Sequence, residues 1–238
     1  MTYDQTILNQ NALNAILIGK IEPLKVDGNF GEKTKNAETL FLRYLGNIFL
    51  KKQYKPCLEG LHAVRMDDNY TNVFSDWFFC FDLAENKQIK FFPASTKPGT
   101  TAVWKNAFAW IMGKQGVACL KESQILNFWS IQGAWWSGLP FLNQKAECTI
   151  YRDNNTDSVI LRTVEHTGQF GINGHSWAGW RGLVVSYWKD AIRKIGVALS
   201  EGCQVTPQQF WDVLFPTIQK NNPNGLVDYT LVHLKDFE

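Results

Sequence analysis

The chain of 238 residues is long enough for one or two domains with a substantial buried core. Lys and Arg total 24 and Asp and Glu total 22, so the formal net charge is only +2. This near-balance argues against a protein whose main partner is nucleic acid or an acidic lipid surface. Aromatic residues make up 14% of the chain and include 10 Trp, so we expect their rings either to pack the core or to line a groove that grips sugars or extended peptides.

Hydropathy along the chain indicates neither an export signal nor a membrane span. The N-terminus lacks a basic stretch followed by an apolar one, and there is no apolar run of about 18 residues. We therefore expect a protein that is made in the cytosol without a signal peptide and that does not insert into membranes.

The cysteines are scattered and include no C-x-x-C pair, which argues against a tetrathiolate zinc site. A cytosolic origin makes disulfides a poor default as well. We expect all but one to be small buried side chains, and the exception to have a chemical role. The cysteines are Cys57, Cys80, Cys119, Cys148 and Cys203.

The N-terminal segment predicts two helices joined by a glycine-rich turn. Apolar residues recur at helical spacing over residues 5–21, Gly19 closes that segment, and a second helix is expected from Glu32 to Leu50. The turn resembles that of the small helical peptidoglycan-binding domain found on cell-wall enzymes. The residues that carry the resemblance are Val26, Asp27, Gly28, Phe30, Gly31 and Thr34. It implies a peptidoglycan-binding-like helical domain over residues 1–60, with Asp27, Gly28, Phe30 and Gly31 in the binding site; a generic helical hairpin is the alternative.

Beyond residue 73 the pattern changes to period two. Residues 77–83 and 88–93 predict a β-hairpin. Thr206 is a fitting N-cap for a later helix, with Pro207 at its first position. The sequence thus predicts an α+β fold, mostly β, with a main domain over residues 70–238. Further strands are predicted at 117–120, 125–132, 147–152, 158–163 and 227–234, and helices at 182–197 and 207–219.

Two residues in the C-terminal third have the chemistry of a nucleophile and its base. His175 lies in a strand-like segment flanked by glycines, and Cys203 directly follows Gly202. A thiol attacks as the thiolate and needs a base or a positive neighbour to lower its pKa. A glycine before the thiol lets the backbone approach a substrate carbonyl, and amides around that turn can stabilise an oxyanion.

The pattern Ser200-x-Gly202-Cys203, preceded by His175, resembles the active-site signature of the L,D-transpeptidase catalytic domain. Two more stretches agree with that family, namely the loop Pro93-Ala-Ser-Thr-Lys-Pro-Gly99 after the hairpin and the helix that follows Cys203. Together the three stretches cover residues 73–220 in the family's order. Papain-like cell-wall peptidases have the reverse order, with Cys before His.

The resemblance implies a mostly-β cysteine enzyme, without cofactor or metal, that acts on peptidoglycan stem peptides. Cys203 would attack the carbonyl of the third stem residue and form a thioester, and His175 would pass the thiol proton to the leaving D-amino acid. The amides of Gly202 and Cys203 would supply the oxyanion hole, and Ser200 would orient the loop. Transfer of the acyl group to water would make the protein an L,D-carboxypeptidase, and transfer to an amine an L,D-transpeptidase or D-amino acid exchange enzyme.

Aromatic and basic residues near this pair are candidates for substrate binding. They are Trp135, Trp136, Trp177 and Arg181. Packing on the sheet is an equal alternative for Trp135 and Trp136, and Arg181 is expected on the solvated surface, with binding of a substrate carboxylate as its alternative. Lys97 is expected on the solvated surface, with binding of a substrate carboxylate as its alternative.

The chain also departs from the family at several positions. Val205 stands where the family usually has Arg or Asn, and Glu201 stands where it commonly has His. The segment between His175 and Cys203 is enlarged, and the usual Thr-Pro-x-Gly after the opening loop is missing. These differences indicate a divergent member.

Three other functions are open from the sequence. A zinc amidase would use His166, His175 and Cys203 as ligands, with Tyr151, Glu165 or Lys189 in proton transfer. A phage endolysin would act on the same polymer. A binding protein without catalysis would grip wall polymers with its N-terminal domain and its Trp-rich body, and Cys203 would be structural. The tryptophans of that body are Trp129, Trp135, Trp136, Trp177, Trp180 and Trp188.

A wall enzyme without a signal peptide needs another route to its substrate. An injected effector, a phage lysin and a protein with a dedicated exporter all satisfy this condition. The resemblance to transpeptidase-fold toxins favours the antibacterial effector, acting in the periplasm and cell wall of a target cell. An immunity protein or a secretion-system component would then be a further partner.

Overall fold

Strands and a few helices make up the regular structure of the described residues, which in this computed structural model are 2–69, 73–98, 117–133, 139–153, 159–176 and 202–238. The helices are α1 (Tyr3–Ile16), α2 (Glu32–Lys52) and α3 (Gln208–Asn221), and a short 3-10 helix spans Leu234–Phe237. The strands are β1 (Leu61–Arg65), β2 (Asp76–Asp82), β3 (Gln88–Ala94), β4 (Val117–Leu120), β5 (Gln124–Gln132), β6 (Phe141–Gln144), β7 (Cys148–Asp153), β8 (Glu165–Gly168), β9 (Gly174–Ser176), β10 (Gln204–Thr206) and β11 (Leu226–His233).

Eight of these strands form one sheet in the order β10-β9-β6-β5-β11-β1-β2-β3. The pairs β1–β11 and β9–β10 are parallel, and the other pairs in this sheet are antiparallel. Strands β4, β7 and β8 form a second, three-stranded sheet. The described part is therefore mixed α+β and mostly β, as predicted.

The two edge strands of the large sheet meet at a bridge that nearly closes it. Ser95, directly after β3, pairs with Val205 in the middle of β10. The Ser95 amide donates to the Val205 carbonyl at 2.8 Å, and the Val205 amide donates back to the Ser95 carbonyl at 3.0 Å. Closure removes the free edges that an open sheet would present at this point.

Strand β2 is apolar on both faces because each face is covered. Phe78 and Cys80 belong to a buried cluster that includes residues of α3, whereas Phe79 and Phe81 belong to a cluster with residues of α1 and α2. Successive side chains of a strand point to opposite faces, so an almost continuous apolar run here marks a strand buried on both sides.

Helix α1 is tied to β3 by side-chain amides. Gln5 Nε2 donates to the Phe91 carbonyl at 3.0 Å, and Asn9 Nδ2 donates to the Ile89 carbonyl at 2.9 Å. Asn9 Oδ1 accepts from the Phe91 amide at 3.1 Å. These bonds satisfy backbone groups of β3 with helix side chains, so the N-terminal helices pack directly on the sheet. The division of the chain into a helical domain over residues 1–60 and a main domain over residues 70–238 stays a prediction.

Several predicted elements are confirmed within a few residues. They are the two N-terminal helices, the β2–β3 hairpin, β4, β5, β7, β11 and α3. Strands β1, β6 and β10 are additions that the sequence pattern did not indicate, and β9 lies in the strand-like segment expected around His175. The helix predicted at 182–197 lies outside the described residues.

Two local predictions are wrong. No strand occupies the described part of 158–163, where Val159 makes only an isolated bridge with Asn69. The strand that follows β7 in the small sheet is instead β8, at Glu165–Gly168. Thr206 is not the N-cap of α3, because Pro207 takes that position and the Thr206 hydroxyl donates to the Pro93 carbonyl at 2.6 Å.

The aromatic residues of the described segments largely fill the core. Trp129 and Trp211 are buried, so Trp129 is not available to grip a polymer as the binding-protein alternative requires. Among the described helices, none combines the length and the apolar character that a membrane span requires.

Candidate functional site

The pairing of β9 with β10 brings the candidate base and nucleophile into one region. His175 is the middle residue of β9 and lies opposite Val205, and the Gln204 amide donates to the Asn173 carbonyl at 2.8 Å. Cys203 directly precedes β10. His175 and Cys203, far apart in the sequence, therefore lie on adjacent chain segments and are two positions apart in register.

His175 is held as a buried, neutral imidazole. Only 2% of the residue is exposed, and burial lowers its pKa to about 4. Its Nδ1 lies 2.7 Å from the Ser176 carbonyl oxygen, which can only accept a hydrogen bond, so Nδ1 carries the proton. This tautomer leaves Nε2 unprotonated, which is the form that can take a proton from a thiol.

Cys203 differs from the other cysteines in exposure. It is half-buried and its Sγ donates to the Gly171 carbonyl at 3.5 Å, whereas the other four are buried, as expected. Burial raises the pKa of Cys57 and Cys119 to about 11 and that of Cys80 and Cys148 to about 12. Those four thiols stay protonated at neutral pH and are shielded by burial. Among the five cysteines, Cys203 is therefore the accessible thiol.

Gly202 is required by the path of the backbone. Its φ is +141°, and a Cβ at this position would collide with the Ala118 carbonyl oxygen of β4 and approach Ile172 Cδ1 to 3.1 Å. The chain can pass this close to β4 only without a side chain. The small sheet therefore fixes the backbone directly before Cys203.

The loop that the sequence singled out after the hairpin adjoins the same region. Ser95 pairs with Val205, and Thr206 bonds to Pro93, so the described part of this loop (residues 93–98) runs beside β10. Ser95 Oγ donates to the Lys97 carbonyl at 3.0 Å and stabilises the turn. The structure thus brings together the loop after the hairpin, the segment of His175 and the segment of Cys203, which are separate in the sequence. Their residues are 93–98, 170–176 and 202–206.

The segment 170–173 is clamped by Gln144 at the end of β6. Gln144 Oε1 accepts from the amides of Phe170 at 3.1 Å and Ile172 at 2.8 Å. The backbone amide of Gln144 donates to Asn173 Oδ1 at 2.9 Å. This clamp fixes the carbonyl of Gly171 against which the thiol of Cys203 rests.

Gln204 is a polar residue of this region that the sequence interpretation missed. It is 0% exposed; its Nε2 donates to the Gly202 carbonyl at 3.1 Å and lies 3.4 Å from the Thr96 carbonyl. Its Oε1 accepts from the Tyr229 hydroxyl at 2.8 Å. The one available signal was a long polar side chain directly after Cys203, which would have to be hydrogen-bonded if buried.

An ionic network adjoins Thr96, buried at Arg65 and reaching the surface at Arg162. Arg65 bonds to Thr96 Oγ1 at 3.1 Å and to its carbonyl at 2.9 Å, and it pairs with Glu122 at 2.5 Å. Arg162 pairs with Glu122 at 2.7 Å and with Asp68 at 2.6 Å. Burial raises the pKa of Glu122, but the hydrogen bonds from Arg162 and the charges of both guanidinium groups outweigh it and hold that pKa at about 2.

Lys97 is part of this interior, so its predicted surface position is wrong. It is 1% exposed, and its Nζ lies 2.8 Å from Asp67 Oδ1 and 3.4 Å from Asp76 Oδ1. Asp76 is fully buried and accepts from the amide and the hydroxyl of Thr96 at 2.9 and 2.8 Å. Lys97 therefore fixes the loop instead of binding a substrate carboxylate.

The glycine-rich turn of the N-terminal segment is tied to α1. Gln10 Oε1 accepts from the amides of Asp27 and Gly28, both at 3.1 Å. The backbone amide of Asn29, 3.0 Å from Asp27 Oδ1, lowers the pKa of the Asp27 carboxyl. Phe30 is half-buried, and Gly31 is the N-cap of α2. The turn is thus an ordered connection, and its role in peptidoglycan binding stays a prediction.

Several candidate residues lie outside the described part of the chain. They are Ser200, Trp135, Trp136, Trp177, Arg181 and Lys189. Their proposed roles stay predictions.

The ligands of the zinc alternative are not brought together. His166 is exposed on β8 of the small sheet, opposite Ile150, whereas His175 lies in the large sheet. Within the described ranges, no group of three or more His, Cys, Asp and Glu side chains is placed to hold a metal ion. Of the proton-transfer candidates, Tyr151 OH lies 3.2 Å from Arg162 and Glu165 pairs with Lys121 at 2.7 Å.

Comparisons of the chain with protein-family models, with curated proteins and with solved structures give no match.

Proposed function

We propose that the chain is a cysteine-dependent acyl-transfer enzyme of the L,D-transpeptidase kind that acts on peptidoglycan stem peptides. The observation that carries the proposal is the position of the accessible thiol, Cys203, beside the strand that holds the neutral imidazole of His175. A nucleophile, a base with an unprotonated nitrogen and a glycine-lined backbone are the parts that acyl transfer from an amide needs. These parts support the proposed chemical class, and the sequence resemblance supports the proposed stem-peptide substrate.

The proposed reaction has two steps, acylation of Cys203 and transfer of the acyl group. Nε2 of His175 takes the thiol proton, the sulfur of Cys203 bonds to the substrate carbonyl carbon, and the C–N bond to the terminal D-amino acid breaks. The proton held by His175 goes to the leaving amine, which leaves a thioester on Cys203. Water or a second amine then attacks the thioester, loses a proton and releases the thiol.

The half-buried thiol and the fully buried base suit this chemistry. A base shielded from water keeps its neutral form well below neutral pH, because the charged imidazolium is poorly solvated there. The amide of Cys203 follows a glycine that packs on β4, and the proposed role of this amide is to stabilise charge on the carbonyl oxygen. The ordered loop 93–98 forms an adjacent boundary of the site.

Mass spectrometry of defined muropeptides tests the activity. We expect disaccharide tetrapeptides to lose one D-alanine, or to exchange it when another D-amino acid is added. Cys203→Ala should abolish both reactions. Cys57→Ala, the same substitution at a buried cysteine outside the cluster that contains Phe78 and Cys80, should retain them. Undiminished release by Cys203→Ala would overturn the proposal, and cleavage between sugar and peptide would indicate an amidase instead.

The biological setting belongs to the same proposal. Trimming stem peptides in the periplasm removes the donors that a cell needs for crosslinking, which is the action expected of an exported antibacterial effector. Expression directed to the periplasm should slow growth or round the cells, and Cys203→Ala should not. Harm that appears only on cytosolic expression would contradict this setting.

A further inference from the structure

The side chain of Gln204 joins the backbone on both sides of the candidate site. It directly follows Cys203, is fully buried and contacts the Gly202 carbonyl at 3.1 Å, the Thr96 carbonyl at 3.4 Å and the Tyr229 hydroxyl at 2.8 Å. Burying a primary amide is unfavourable unless it is hydrogen-bonded. An apolar residue could occupy this strand position without any hydrogen-bond partner. The presence of a buried glutamine here therefore calls for an explanation.

The orientation of the amide is fixed by its partners. Carbonyl oxygens only accept hydrogen bonds, so the atom that faces Gly202 and Thr96 must be the donor Nε2. Oε1 then faces the Tyr229 hydroxyl, which donates to it. Burial raises the pKa of Tyr229, so the phenol keeps the proton that it donates.

This amide sets the orientation of the peptide group before the nucleophile. The carbonyl of Gly202 and the N–H of Cys203 belong to the same planar trans peptide and point in opposite directions. Because Gln204 Nε2 holds the carbonyl on the buried side, the Cys203 N–H is directed away from that side. Gly202 has a φ of +141°, a region that favours glycine, and the hydrogen bond from Gln204 Nε2 adds a direct restraint on the carbonyl of this peptide.

We infer that Gln204 is a positioning residue that keeps the Cys203 N–H aimed at the oxyanion formed when Cys203 is acylated. The inference rests on the proposed function and adds to it a residue that does not touch the substrate. Tyr229 supports it by fixing the amide of Gln204. Loss of Gln204 should slow acylation without reducing the intrinsic reactivity of the thiol.

Two reactions of the same thiol separate this role from a merely structural one. Acylation by a disaccharide tetrapeptide builds negative charge on a carbonyl oxygen and needs the aimed N–H. Alkylation of Cys203 by iodoacetamide displaces iodide at a CH₂ carbon, and no oxyanion forms. A substitution that disturbs the whole loop slows both reactions, whereas one that turns the peptide group slows acylation alone.

The test compares Gln204→Met with the wild-type chain. Met has similar length and cannot donate a hydrogen bond. We expect single-turnover release of D-alanine to fall about 10- to 100-fold, less than the ~100- to 1,000-fold typical of deleting an oxyanion donor. Alkylation at Cys203, followed by mass spectrometry of the peptide that contains it, should stay within about 3-fold, and KM should change less than kcat. Tyr229→Phe should give the same selective pattern with a smaller loss.

Equal losses in the two reactions, or no loss in either, would overturn the inference. If Gln204→Met does not fold, as judged by circular dichroism, Tyr229→Phe decides by the same criterion. Cys203→Ala separates the two proposals: if it still releases D-alanine, the proposed function and this inference both fail. If it is inactive while Gln204→Met loses both reactions equally, only the inference fails.

Discussion

Ser95 and Val205 exchange two backbone hydrogen bonds, at 2.8 and 3.0 Å, across the gap between the edge strands of the large sheet. Thr206 adds a third bond across the same gap, from its hydroxyl to the Pro93 carbonyl at 2.6 Å. The seam between β3 and β10 is therefore short, and it lies directly beside Cys203. Stability at this seam and geometry at the candidate site are expected to depend on the same bonds.

Thr206→Val removes one seam bond with little change in shape. The carbonyl of Pro93 then loses a buried donor, so we expect the free energy of unfolding to fall by about 1–3 kcal/mol. Thr39→Val is the matched control, because the Thr39 hydroxyl bonds to the Lys35 carbonyl on an exposed face of α2; its effect should stay within about 0.5 kcal/mol. Urea unfolding measures both, and equal effects would show that the seam bond has no special weight.

Gly202→Ala tests the close approach of the backbone to β4. The added Cβ meets the Ala118 carbonyl at a φ of +141°, so steric overlap and backbone strain should lower the free energy of unfolding by about 2 kcal/mol or more. Gly46→Ala is the control, because Gly46 lies within α2 and a Cβ there has no neighbour within 4 Å. It should stabilise the protein by about 0.5–1 kcal/mol. Thermal unfolding distinguishes the two, and a neutral Gly202→Ala would contradict the packing described.

The elements that sequence predicts well are those specified locally. The hairpin of β2 and β3 has runs of apolar, β-favouring residues on either side of a turn at Asn86 and Lys87, both with positive φ, and α2 has an apolar stripe along one face. Strands β9 and β10 are three residues each and are defined by pairing with each other across a long intervening segment. Such short strands carry too little pattern to be recognised alone.

The sequence indicates the two central residues of the candidate site but not the residues that support them. His175 and Cys203 stand out by residue type and by their glycine neighbours. Gln204 and Lys97 did not, because a polar residue in a strand or after a hairpin is ordinarily expected in solvent. Their burial is explained by distant partners, Tyr229 for Gln204 and Asp67 with Asp76 for Lys97, and sequence spacing does not reveal these contacts.

Glu38 gives the stability of the protein a pH dependence. Burial raises the pKa of its carboxyl to about 7, although Asn9 Nδ2, 2.9 Å away, lowers it in part. The folded state thus binds the proton more tightly than the unfolded state, so this group makes stability fall as pH rises from about 4.5 to about 7. Glu38→Gln keeps an oxygen for Asn9 and removes the charge.

We expect Glu38→Gln to raise the free energy of unfolding at pH 8 by an amount on the order of 1 kcal/mol, allowing for the partial exposure of the carboxyl. At pH 4, where the wild-type carboxyl is protonated in both states, the variant should match the wild type. Glu22→Gln, at a position with 91% side-chain exposure, is the control and should change little at either pH. An equal gain at pH 4 and pH 8 would mean that charge burial is not the cause.

His175 sets the acid limit of the proposed activity. Its pKa is about 4 because the imidazolium is shielded from water, so the base stays neutral through the range in which an exposed histidine would titrate. The value of kcat/KM for D-alanine release should therefore stay constant on the acid side down to about pH 5 and fall below it. A fall centred near pH 6.5 would contradict the buried base.

His175→Asn tests the role of Nε2. The variant keeps a donor for the Ser176 carbonyl but lacks Nε2, and it should lower kcat by about 10²- to 10⁴-fold without unfolding the chain. His166→Asn makes the same change at an exposed histidine, and its activity should equal that of the wild type, since a zinc site would need His166 and this mechanism does not.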